Sequence, residues 1–235
     1  LRNIMHELKT PIAKGRLVAS MLQDNKQQER MNSIFKRLES LIGEFALIEE
    51  ITSYNQHHNK NEYRLIDLVD GAIDMAMVDY EAVSTEISST VKLIVDYRLF
   101  VTAIKNLIDN AIKFQNTSGR VEPFVRINVS TNGNSIQVRV VDNGIGVDKI
   151  SADKIFQMFV RASERSETGG LGLYLSRLAV EKLGGEISLN ITEEKWTEFR
   201  VSLPGDLNSI VEERKQAEIQ REIEKVIVAT KNQTD

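Results

Sequence analysis

Apolar residues recur along the first fifty positions at a spacing of three then four. One run is Leu1, Ile4, Leu8, Pro11 or Ile12, Gly15, Val18 and Leu22; a second sets Met31, Leu38 and Phe45 beside Ile34, Leu41 and Ile48. That period is the seam of helices packed on helices. It predicts a first helix to about Gln23, a tight turn at Asp24–Gln28, and a second helix whose stripe Phe35 and Ile42 widen. Two antiparallel helices cannot cover seams this wide with each other alone. Pairing with a second copy would complete a four-helix bundle, so a homodimer is expected. The polar stretch Tyr54–Glu62 carries His57 and His58 without a carboxylate or cysteine cluster nearby, and reads as a solvated linker rather than a metal site.

From Tyr63 the periods mix. Asp67 is the expected N-cap of a helix burying Leu68, Ala72, Ile73, Ala76 and Met77. Strands are expected at Glu86–Ser88, Val91–Val95, Val125–Val129, Ile136–Val141, Glu186–Ile191 and Phe199–Leu203, and helices at Tyr97–Phe114 and Gly170–Leu183. Strands mixed with grouped helices imply an α+β chain: a helical hairpin followed by a two-layer α/β sandwich, one sheet with helices on one face. Trp196 sits between the last two strands and reads as packing. Beyond Asp206, Ile219, Ile223, Val226 and Ile227 form one apolar stripe in a charged stretch, an amphipathic helical tail.

Composition narrows the function classes. The charge is a well-mixed net -4, which leaves no nucleic-acid footprint, and cysteine is absent. No apolar run approaches the roughly 20 residues of a membrane span, and no signal peptide opens the chain. Leu1 already lies inside a helical pattern, so the chain reads as part of something longer.

Four stretches carry candidate chemistry. His6-Glu7-Leu8-Lys9-Thr10-Pro11 puts His6 on the helix face furthest from the seam, exposed and titrating near neutrality. Glu7 supplies a carboxylate beside the ring, Thr10 shares its face at i+4, and Pro11 should bend the helix. A zinc-protease reading fails because its second histidine would have to stand at Thr10. Further on, Asn106, Asn110 and Lys113 line up at i, i+4 and i+7, two carboxamides and an ammonium suited to a magnesium-phosphate group. Val140-Val141-Asp142-Asn143-Gly144-Ile145-Gly146 ends a strand in a carboxylate and a turn open to close ligand approach. Thr168-Gly169-Gly170-Leu171-Gly172-Leu173 opens a helix, where amides and the helix dipole favour phosphate. It is neither a Walker loop nor a dinucleotide fingerprint.

The first stretch resembles the phosphoacceptor box of sensor histidine kinases, H-E-[IL]-[KR]-T-P, at all six positions. The others resemble, in order, the N, G1 and G2 boxes of the histidine-kinase ATP-binding domain, a fold shared with gyrase, the Hsp90 chaperones and the MutL repair proteins. Ile155-Phe156-Gln157-Met158-Phe159-Val160-Arg161 resembles the F box that anchors a mobile lid. The resemblance covers about Leu1 to Pro204. It implies ATP and Mg²⁺ as cofactors, with Asp142 reading the adenine amino group and Asn110 as metal ligand. Asn106 and Lys113 would approach the phosphates, and Gly144 and Gly146 would floor the pocket. Gly170, Leu171 and Gly172 would form the phosphate loop, Phe156 and Phe159 would anchor the lid, and Arg161 would reach a phosphate.

The implied activity is autophosphorylation of His6 from ATP, then transfer to an aspartate of a response regulator, with Thr10 serving its dephosphorylation. The implied setting is the cytoplasmic part of a membrane-anchored sensor. Boundaries are expected at 1–53 for the phosphotransfer hairpin, 54–62 for the linker, 63–205 for the ATP-binding domain and 206–235 for the tail. Departures from the family pattern are Met5 before the histidine, the order Thr168-Gly169 before the glycine loop, a short lid, and the tail. A water-activating ATPase of the Hsp90 or MutL type should carry Glu at position 106, where this chain has Asn106.

Overall fold

The structure is a computed structural model, and it describes residues 2–22, 24–53, 60–87, 91–116, 122–132, 135–147, 154–160 and 170–204. Two helices open it, α1 (Arg2–Ala19) and α2 (Asn25–Ser53). Helix α1 ends earlier than its apolar run suggests but runs through Pro11. Asp24 starts α2: its Oδ1 accepts from the amides of Lys26 at 2.9 Å and Gln27 at 3.2 Å, satisfying two donors that a helix start leaves orphaned. The two helices pack closely at Gly15, where a Cβ would collide with the Phe35 ring. Arg16 spans them, its Nη1 donating to both carboxylate oxygens of Glu39 at 3.0–3.1 Å.

The remainder comprises β1 (Lys60–Arg64), α3 (Leu65–Ala76), β2 (Val83–Glu86), β3 (Lys92–Asp96), α4 (Tyr97–Lys113), β4 (Val125–Asn132), β5 (Ser135–Asp142), α5 (Gly172–Lys182), β6 (Glu186–Ile191) and β7 (Thr197–Pro204). Five strands form one sheet in the order β2-β4-β5-β7-β6, with β2 parallel to β4 and the other pairs antiparallel. Strands β1 and β3 make a separate antiparallel pair. The alternation of β4, β5 and β7 sends Ile127, Ile136, Val138, Val140, Val201 and Leu203 into one face, all at most 1% exposed. Helices α3, α4 and α5 cover that face with Leu68, Ile73, Ile104, Leu107, Ile108 and Leu175. This is the expected α+β sandwich. Among the described residues no helix is long and apolar enough to cross a membrane.

Several local expectations are corrected. Helix α3 begins at Leu65, with Arg64 at the capping position, so Asp67 lies in the first turn and pairs with Arg64 at 2.6 Å. Met77 ends that helix in the left-handed conformation (φ 53°) and is 94% exposed, because the chain must turn away there. The strand expected at Glu86–Ser88 is β2, three residues earlier, and β1 begins inside the stretch expected to be linker. Strand β1 is exposed along most of its length, so it lacks the alternation that reveals a strand. His57, His58 and the tail 206–235 lie outside the described residues.

Candidate nucleotide site

Helix α4 is the axis of the site. Its N-cap is Asp96, whose Oδ1 accepts from the Leu99 amide at 3.1 Å, and its interior has neither glycine nor proline. Leu99, Phe100, Ala103, Ile104, Leu107, Ile108 and Ala111 turn inward. The same period leaves Asn106, Asn110 and Lys113 along a second face, which lines a cavity of about 450 Å³. Lys105 and Asp109, also on its wall, hold each other at 2.6 Å.

At one end of the cavity stands Asp142, the last residue of β5, 4% exposed. Burial pushes its carboxyl up to about 6, against the opposing pull of the Gly144 amide, which donates to Oδ1 at 2.9 Å. Thr197 of β7 sits opposite Asp142 in the sheet register, is also buried, and lines the same cavity. A carboxylate and a hydroxyl side by side in an apolar wall of Ile155, Leu173 and Phe199 are suited to a flat ligand with an exocyclic amine. Gly146 lines the wall with φ +77°, a conformation that favours glycine. Gly144 does not line it. A Cβ there would collide with the Phe114 carbonyl and come within 2.8 Å of Asp142 Oδ1, so this glycine lets the loop close on the end of α4. The Ile145 amide donates to that Phe114 carbonyl at 2.9 Å.

At the other end Gly170 and Gly172 bring the start of α5 to the cavity. Asn106 Nδ2 donates to the Gly172 carbonyl at 3.2 Å, and Ser176 Oγ donates to the carbonyls of Ala103 (3.0 Å) and Gly172 (3.2 Å). These bonds fix the N-terminus of α5 beside α4. A helix start with open amides beside the Asn106 carboxamide is a place for phosphate oxygens. Asn110 lies one turn further along α4, and Lys113, its Nζ 5.3 Å from the Phe114 ring centre, lines the same cavity. Mg²⁺ fits the same donor set: neutral carboxamide oxygens suit a cation whose shell comes mainly from phosphate and water.

The other candidate residues fall into three groups. Leu171 is fully buried between Gly170 and Gly172, and Phe156, 8% exposed, packs edge-on against Phe199 of the cavity wall at 6.1 Å. Phe159 is exposed, has φ 65°, and meets the Phe45 ring of α2 at 5.9 Å; its amide donates to the Gly170 carbonyl at 3.0 Å. Thr10 is exposed on α1. His6 and Glu7 lie in α1 with their side chains outside the described set, and Arg161 is outside it altogether.

Part of the wall carries no signal in the sequence. Thr197 could have been found only by pairing β7 with β5. Ser40, Gly43, Glu44 and Leu47 of α2 also line the cavity, and nothing in their spacing separates them from an ordinary helix face.

Residues 95–207 match the family described as Histidine kinase-, DNA gyrase B-, and HSP90-like ATPase. Among curated proteins, the chain is 36% identical over 192 residues to the sensor histidine kinase ArsS of Helicobacter pylori, covering 80% of this chain and 43% of ArsS. It is 28% identical over 221 residues to the sensor protein kinase WalK of Staphylococcus haemolyticus, covering 86% of this chain and 36% of WalK. The chain thus spans less than half the length of these relatives. Among solved structures, the histidine kinase AdeS of Acinetobacter baumannii superposes with TM-score 0.61 at 19% identity, over 86% of this chain and 98% of AdeS. Full-length ShkA in complex with AMPPNP gives TM-score 0.65 at 20% identity, over 86% of this chain and 44% of ShkA. At these identities the likeness is one of fold.

Proposed function

We propose, for a chain that belongs to the sensor histidine kinases of two-component systems, that it phosphorylates its own His6 from ATP and passes the phosphoryl group to an aspartate of a response regulator. The observation that carries the reading is the single cavity shared by Asp142, Gly146, Asn106, Asn110, Lys113, Gly170 and Gly172, residues drawn from three separate stretches of sequence. In this reading the ATP-binding domain begins with β1 at Lys60 and runs to 205, 1–53 is a dimerising phosphotransfer hairpin, 54–59 joins them and 206–235 is an appended tail. The protein containing the chain works at the cytoplasmic side of a membrane.

The chain's residues divide the work. Asp142 accepts from the adenine amino group, and Gly146 lets the ring lie against the backbone. Asn106, Lys113 and the amides at Gly170 and Gly172 neutralise and orient the phosphates, with Arg161 as a further cation. Asn110 would hold Mg²⁺, which supplies charge neutralisation on the phosphates when bound. Phe156 and Phe159 anchor the segment between them and Gly170. Glu7 orients the His6 ring or takes its proton, so that a ring nitrogen attacks the γ-phosphorus in line as ADP leaves.

Incubation with γ-labelled ATP tests this directly. The label should be lost in acid and survive alkali, as a phosphoramidate does, and His6→Gln should abolish it while nucleotide affinity stays within about twofold. Acid-stable label on that variant refutes the assignment. Thr10, one helical turn from His6, is too far to join its attack but can hold a water against a regulator's aspartyl phosphate. Thr10→Ala should therefore keep self-labelling and lose regulator dephosphorylation; parallel loss of both makes Thr10 structural.

A further inference from the structure

One wall of the cavity is supplied by α2. Ile51, 2% exposed, is buried in the sandwich core, with Leu47 and Ile48 packed against it. Arg98 of α4 grips the Glu50 carboxylate with both terminal nitrogens, and Lys182 of α5 donates to the Thr52 carbonyl at 3.3 Å. The hairpin is thus latched to the sandwich by its second helix.

The latch presents Glu44 to the cavity. A chain of contacts fixes which end it reaches. Asn106 bonds the Gly172 carbonyl, Gly170 accepts from the Phe159 amide, and Phe159 meets Phe45, the neighbour of Glu44. Glu44 therefore belongs to the end where α5 begins, the end suited to phosphate. Its Oε1 accepts from Ser40 Oγ at 2.9 Å, while its Oε2 is buried without a hydrogen-bond partner among the described residues. A carboxylate oxygen shut away from water with nothing to bond is costly. It is tolerable beside a positive helix end, and worse when further negative charge arrives.

We infer that Glu44 sets the choice between nucleoside triphosphate and diphosphate: docked α2 holds its carboxylate at the phosphate end, so it coexists with a diphosphate and is expelled by a triphosphate. The inference rests on reading the cavity as a nucleotide site. Coupling is reciprocal, so a triphosphate that releases α2 binds more tightly once α2 is released by other means. The latch and the carboxylate then act in series, and removing either removes the same penalty.

Affinities of the whole chain for a non-hydrolysable ATP analogue and for ADP, both with Mg²⁺, decide the matter. The quantity read is their ratio. Glu44→Gln keeps the shape and deletes the charge, and should shift the ratio toward the triphosphate roughly five- to tenfold. Arg98→Glu should do the same by opening the latch. The double variant should gain no more than the larger single, and Arg98→Glu with Glu50→Arg should return the ratio toward the parent value. An unchanged ratio in Glu44→Gln, or full additivity in the double variant, overturns the inference and leaves the nucleotide reading intact. Absence of binding of either nucleotide to the parent and to every variant overturns both.

Discussion

Asp142 shows how a single residue can be placed against its own stability. Its folded carboxyl lies at about 6 instead of 3.8 because burial penalises the charge. The folded chain thus holds that proton more tightly than the unfolded chain does. The resulting stability is fully present below the unfolded value and is lost as pH rises through about 6. At neutral pH the charged form persists at a cost of at most about 3 kcal/mol. Asp142→Asn removes the charge at nearly constant shape, so the nucleotide-free protein should melt higher at pH 7.5 and lose its slope between pH 4 and 6. In the proposed role the same change puts an amide in place of the acceptor for the adenine amine, and ATP should bind more weakly relative to a phosphate-only ligand. For the parent chain, ATP affinity should fall as pH is lowered through about 6. A lower melting temperature for Asp142→Asn would mean the carboxylate is structural.

Between elements, the junction of β5 with α4 is the tightest point of the site. Gly144 leaves no room for a side chain between the Phe114 carbonyl and Asp142, whereas a Cβ at Gly146 meets nothing within 4 Å and only the φ of +77° resists it. Gly144→Ala should cost roughly 2–3 kcal/mol in urea unfolding, and Gly146→Ala roughly 1 kcal/mol. Equal costs would mean the loop shifts freely off α4. These two glycines look alike in the sequence, and their difference is legible only in the packing. Helix α4 was legible throughout, because its apolar stripe and its Asn106, Asn110, Lys113 row share one helical period. Strand β5 was legible by alternation, whereas β1, exposed along most of its length, was not. Asp67 illustrates a different miss: an acidic residue near a helix start suits a cap or a first turn equally, and its bond to Arg64 decides for the latter. The wall formed by α2 was invisible because it depends on how the hairpin lies on the sandwich, which no local pattern encodes.

At the scale of the molecule, the hairpin keeps a large apolar surface uncovered. Leu17, Val18 and Met21 of α1 and its following turn are 62%, 66% and 72% exposed, and Ile34 and Leu38 of α2 are 53% and 40% exposed. Exposed apolar residues on both helices of one hairpin suit the proposed pairing with a second copy. Sedimentation of the chain should give a dimer, and Val18→Glu should weaken it at least about tenfold while the sandwich melts unchanged. A parent chain that stays monomeric at high concentration refutes the pairing. The register that sets Asp142 opposite Thr197 has a consequence of another kind. Those residues belong to strands joined by β-pairing far apart along the chain, and α5 lies between them in sequence. Bringing such distant segments together is entropically slow, so the cavity end at Asp142 and Thr197 is expected to assemble late in folding. Nucleotide then has nothing to bind in the transition state. It should leave the refolding rate unchanged and act wholly by retarding unfolding, as a kinetic lock on a fold that forms without it.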